Sequence, residues 1–218
     1  MHISFHFKST KLFFLIIYLS IQSCSYPEIV RDELVYENTF EEKNSDQIDG
    51  AVFSKYNNST VIGNYNNNGF TIHLDNIGKH EYVFISFDLY IHGSWDGNSN
   101  GFNIKDHGYD DRPDLWGIEL NPGMSINSND FQKFETTFSN SPCFPTYCLK
   151  QSFPNNYPVN NNPKSSATLL NLAKNCVAPG WNNTETSLYK IEKTFYHTSD
   201  ALIVRFYDHL FQPNAIDF

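Results

Sequence analysis

Positive charge is scarce in this chain: 15 Lys and Arg stand against 24 Asp and Glu, a formal net charge of −9. An acidic surface repels phosphate backbones, so nucleic acid is not an expected partner. Signatures of catalysis are missing as well. There is no Gly-x-Ser-x-Gly elbow and no Glu-x-Asp-x-x-Glu run. His73, His80, His92, His107, His197 and His209 are scattered, none at the close spacing of a zinc site, and read as surface or strand-end residues. The strong strands hold few glutamates, Glu119 and Glu135, with Glu81 at a strand start, so a glycoside hydrolase is the less favoured reading. Long Ser/Gly/Pro linkers and internal repeats are absent, which leaves one domain behind the leader. Helical periodicity is nearly absent too; a turn or two near 167–173 is the one helix expected.

What the chain has in quantity is aromatic residues, 16% of the total, mostly Phe and Tyr, which suit half-buried sheet faces. Phe70–Leu74 alternates apolar and polar residues. Tyr82–Ile91 is the strongest strand, with Val83, Ile85, Phe87, Leu89 and Ile91 sharing one face. Further strands are expected at Trp116–Leu120, Phe134–Phe138, Leu188–Ile191, Lys193–His197 and Leu202–Phe206. Asn-rich patches at 57–58, 64–68 and 155–162 read as the connections, because Asn tolerates left-handed backbone. Many short strands with turn signals between them predict an all-β antiparallel β-sandwich. A jelly-roll or lectin-like form is preferred, with an immunoglobulin-like one as the alternative.

The N-terminus reads as an export signal. Lys8 and Lys11 precede an apolar run, Leu12–Leu19, that is far short of the ~20 residues a spanning helix needs. Ile21-Gln22-Ser23-Cys24 follows and resembles the bacterial lipobox. That resemblance implies a signal over 1–23, a lipidated Cys24 with a tether over 24–35, and a domain over 36–218 held at the cell envelope or surface. The membrane is then touched only through the lipid. An ordinary cleaved signal and free secretion is the alternative.

With Cys24 assigned to the signal, Cys143, Cys148 and Cys176 remain. An exported protein is expected to pair its cysteines. Cys143 and Cys148 flank a tight loop and can close a ring, and Cys176 can equally pair with either. The odd count, and an end soon after a strand and a turn, lead to the expectation that a last strand and a fourth Cys are missing at the C-terminus.

Residues 87–116 hold the densest polar chemistry. A strong strand runs into Trp95-Asp96-Gly97-Asn98, and the next strand begins at Pro113-Asp114. Asp96, Asn98 and Asn100, with Asp111 and Asp114 from the far side, are oxygen donors of the kind calcium takes in sets of about six to eight. The twelfth-position Glu of an EF-hand is missing, and Asp-Gly and Asn-rich stretches also simply make turns. Trp95, Trp181 and Tyr109 sit in or beside polar loops and are the candidates for stacking on sugar rings, while Trp116 reads as core.

These residues also carry a resemblance. "FDLYIHGSWDGN", "PDLW", "TTFSN" at 136–140 and "QSFP" at 151–154, in that order, resemble a recurring extracellular β-sandwich domain of secreted and surface-anchored proteins. The resemblance covers about 50–210. It implies a sandwich outside the cell and a shared loop site around the Trp-Asp-Gly and Pro-Asp motifs, and no particular reaction. Gly93 stands where the pattern has Asp, and the pattern's closing "ESWGIDN"-like strand is absent. The functional expectation is a calcium-supported binding module for a glycan or another surface protein. A purely structural or protein-interaction module is the alternative.

Overall fold

The computed structural model describes residues 32–93, 95–98, 113–124, 129, 131–140, 143, 148–173 and 186–210. The chain divides into two compact units, 1–35 and 36–218. The segment expected to be a signal, with Cys24, falls outside the described residues, as do Asn100, Tyr109, Asp111, Cys176, Trp181 and the C-terminal 211–218.

The second unit is an all-β antiparallel sandwich. Its strands are β1 (Ile48–Asp49), β2 (Phe53–Tyr56), β3 (Ser59–Ile62), β4 (Gly69–Leu74), β5 (Tyr82–His92), β6 (Leu115–Leu120), β7 (Gln132–Thr137), β8 (Leu169–Leu172), β9 (Thr186–Tyr196) and β10 (Leu202–His209). One sheet runs β1-β4-β10-β6-β7, the other β5-β9-β8, and β2-β3 is a separate hairpin. Among the described residues every strand pairing is antiparallel.

The alternation read in the sequence is the reason for the two layers. In β5, Val83, Ile85, Phe87 and Leu89 turn towards the core while Tyr82, Phe84, Ser86 and Asp88 face solvent. Trp116, Ile118 and Leu120 of β6 and Leu202, Val204 and Phe206 of β10 meet them from the opposite sheet. Phe138 is the hub of the aromatic core, 4.6 Å from Tyr189, 5.2 Å from Phe153, 6.1 Å from Trp95 and 6.2 Å from Trp116 between ring centroids. The Asn patches do supply left-handed backbone: Asn57 and Asn58 have φ of 48° and 72°. That pair of positive φ values makes the two-residue turn whose twist matches a β-hairpin.

Two expectations are corrected. The segment expected to be a helix contains β8, which pairs Leu169 with Leu188 and Leu172 with Thr186. Its weak local preference yields to the open edge of β9. The two late runs around Ile191 and Phe195 are one continuous strand, β9, which pairs with β5 along the full 11 residues.

Candidate functional site

The four sequence motifs converge at one end of the sandwich. Pro113-Asp114 returns to the Trp95–Asn98 turn, where the Asp96 amide donates to Asp114 Oδ2 at 2.8 Å and the Asp114 amide donates to Gly97 O at 3.2 Å. Asn98 reaches inward. Its Oδ1 accepts from the hydroxyls of Thr137 and Ser152, and its Nδ2 donates to Val159 O and Asn160 Oδ1, both at 2.8 Å. Gly97 is required here: it sits at φ +67°, and a Cβ would lie 2.1 Å from Lys150 O.

Asn140 and Gln151 continue the network. Asn140 Nδ2 donates to Gly93 O at 2.9 Å, and its Oδ1 accepts from Ser187 Oγ at 2.6 Å. Gln151 is fully buried; its Oε1 accepts from the amides of Ser139 and Lys164, and its Nε2 donates to Phe153 O and Ser165 O. A buried amide side chain has four hydrogen-bonding positions, and both residues are used to staple loops of the same end together. The motif residues are therefore bonded chiefly to one another.

This settles the places of the described candidates. Trp95 is corrected: it is 1% exposed and part of the aromatic core, so it offers no face to a sugar. Asn98 is 5% exposed and both lone pairs of its Oδ1 are occupied, so it is corrected from cation ligand to structural amide. Asp114, 1% exposed, and the half-buried Asp96 meet through the Asp96 backbone amide. Among the described residues no group of three or more His, Cys, Asp or Glu gathers as a metal would require. Cys143 and Cys148 are disulfide-bonded.

An open aromatic surface lies elsewhere, on the outer face of the β5-β9-β8 sheet. Tyr82 and Phe84 are 63% and 62% exposed, and Tyr196, directly opposite Tyr82 in the register, is 44% exposed. The Tyr82 and Tyr196 rings meet edge to face at 5.8 Å. Phe84 pairs with Thr194, Ser86 with Glu192 and Asp88 with Lys190, so the rings give way to polar groups along the strands. Lys190 and Glu192 are ion-paired at 2.7 Å. The far end of the same face is closed: Tyr56 of the β2–β3 hairpin packs on Tyr90 and His92, and its hydroxyl donates to Ala173 O at 2.8 Å. Burial in that corner holds the His92 pKa down at about 4.

The sequence did hold a signal for these rings. If Val83 to Ile91 face the core, Tyr82 and Phe84 must face out, and aromatics there are unusual for a solvated face. The meeting of two histidines is a second feature that the sequence did not show, although His92, His197 and His209 do stand at strand ends as expected. His80 and His197, 117 residues apart, stack at 4.9 Å with Nε2 of one 2.6 Å from Nδ1 of the other, and His92 and His197 are buried rather than on the surface.

Glu119 and Glu135, the glutamates expected in strands, lie on the outer face of the larger sheet. Glu135 is ion-paired to Lys133 at 2.7 Å and accepts from the Tyr207 hydroxyl at 2.8 Å; Glu119 faces Lys133 at 4.0 Å and Arg205 at 3.5 Å. Burial first, and then the hydrogen bond to Glu135, push the Tyr207 hydroxyl well above the usual tyrosine range. The Tyr207 ring lies on Gly117, where a Cβ would be 2.5 Å from its hydroxyl oxygen.

Comparison with known proteins finds no matching family profile, no matching curated protein and no matching solved structure.

Proposed function

We propose that the folded domain is a binding module of the cell exterior that takes a glycan on the open end of the β5–β9 face. The observation that carries this reading is the exposure of Tyr82, Phe84 and Tyr196 together on one side of one strand pair. A pyranose offers an apolar C–H face and a rim of hydroxyls. Aromatic rings receive the first, and polar side chains beside them, here Thr194, Ser86 and Glu192, receive the second. The net charge of −9 favours a neutral glycan over an anionic one.

Export and attachment through a lipid on Cys24 complete the reading, with secretion as the alternative. Mass spectrometry of the mature N-terminus, with Cys24→Ser as control, distinguishes the two. Calcium support now draws on Asp96 and Asp114, since the Asn98 amide is occupied. A melt with calcium and with a chelator, repeated on Asp96→Ala/Asp114→Ala, tests it; an unchanged melting temperature removes the cation.

The glycan reading is tested by calorimetry of residues 25–218 against soluble neutral polysaccharides. Tyr82→Ala/Tyr196→Ala is expected to weaken binding at least about tenfold, the loss typical of removing a central aromatic contact. Binding that survives the double variant, or no binding to any neutral glycan, overturns it. The competing reading, docking on another surface protein, draws on the same rings together with Leu169 and Leu170 of β8, which are 51% and 46% exposed.

A further inference from the structure

The base of the aromatic platform is fastened by two histidines. His80 ends the β4–β5 loop and His197 follows β9, and the Tyr82–Tyr196 pair begins immediately beyond them. His80 is half-buried and His197 has no exposed surface. Backbone bonds run between the same two segments: the Ile77 amide donates to Asp200 O at 3.0 Å, the Gly78 amide to Asp200 Oδ1 at 3.0 Å, and the His197 amide to Glu81 O at 3.0 Å.

Valence fixes the protons on the ring contact. His80 Nδ1 lies 2.7 Å from Gly78 O, and a carbonyl only accepts, so Nδ1 carries a hydrogen. In neutral His80 the other nitrogen, Nε2, is then a bare acceptor, and His197 Nδ1 at 2.6 Å must donate to it. One added proton is tolerated: it makes one ring an imidazolium, and the contact keeps a donor and an acceptor. A second added proton does not fit. It sets N–H against N–H between two positive rings stacked at 4.9 Å.

We propose that the His80–His197 contact is an acid-released latch, which fastens the β4–β5 loop to the β9–β10 turn at neutral pH and frees it when both rings are charged. Release takes up protons, so it is favoured by acidification. The other charged groups on the two segments are Asp75, Lys79, Glu81 and Asp200. Asp200 holds the Gly78 amide from the turn side, so the carboxylate is the rival origin of any acid effect. The latch is read at backbone amides and stands whether or not the platform takes a glycan.

The test is amide hydrogen exchange of residues 25–218 at pH 7 and pH 5, corrected for intrinsic rates. The Ile77 and Gly78 amides are expected to lose at least about tenfold protection at pH 5 while the Ile118 amide keeps its own. In His80→Gln, which cannot be charged, the two loop amides should show no such pH dependence. Ring NMR of the unaltered protein at neutral pH should find the Nδ1-protonated form of His80, a readout that needs no variant. Equal loop protection at both pH values, the same loss in His80→Gln, or an Nε2-protonated His80 each overturns the latch.

Discussion

Acidification should weaken this domain through His92. The ring is 5% exposed, edge-on to Tyr56 at 4.8 Å and beside Tyr90 at 6.2 Å, with Nδ1 2.8 Å from Thr186 Oγ1. The Thr186 hydroxyl donates to Ala173 O at 3.1 Å, so it accepts from His92, and the second ring nitrogen is the one a proton would reach. Burial lowers the pKa from 6.5 to about 4 in the folded protein. Between those values the unfolded chain binds a proton that the native state refuses. The stability from neutral His92 is thus complete above about pH 6.5 and falls as the pH drops towards 4. At about 1.4 kcal/mol per pH unit the full loss is about 3 kcal/mol, a large part of the 5–15 kcal/mol typical of a domain. Asp208 works the other way: burial raises its carboxyl pKa, so its folded form gains stability on acidification. The clean measurement is therefore a difference. Urea unfolding of the unaltered protein and of His92→Phe, which keeps a ring against both tyrosines, is followed by tryptophan fluorescence from pH 7.5 to 4. The stability of the unaltered protein should fall by about 3 kcal/mol more than that of the variant. Parallel curves would refute the assignment of the pH dependence to His92.

Three other perturbations follow from the packing. Asn98→Asp replaces an amine that donates to two oxygens with a carboxylate that opposes them; urea unfolding should show a loss of roughly 3 kcal/mol or more, not recovered by calcium. Recovery in calcium would restore Asn98 as a cation ligand. Gly117→Ala forces a methyl group into the Tyr207 ring, with an expected cost of about 1–3 kcal/mol by chemical denaturation and no loss if the ring swings aside. Replacing both Cys143 and Cys148 by Ser opens a ring of sequence separation 5, which chain entropy values at about 2 kcal/mol. A denaturation midpoint unchanged by that double variant would place the bridge outside the folding equilibrium.

The sequence by itself determined the layers of this protein. Period-two alternation in β5 and β10 names the core face of each strand, and a strand buried on one face has little freedom of register. The Asn-rich connections were also legible, because left-handed turns are local matters, while the Cys143–Cys148 ring was one of the pairings that the sequence left open. The tertiary structure alone decided what Asn98 does. Asp, Asn, Ser and Thr look the same as metal ligands, as turn formers and as buried staples. Only the approach of Thr137, Ser152 and Val159 to Asn98, from positions 39–61 residues away, made the amide structural. Trp95 went inward as well, edge to face on Phe138 from a distant part of the chain. The open Tyr82–Phe84–Tyr196 face and the His80–His197 contact likewise depend on which sheet surface is left uncovered and which loop ends meet. Alternation fixes the two faces of a strand, but whether another layer covers the outer one is decided by pairings across the chain.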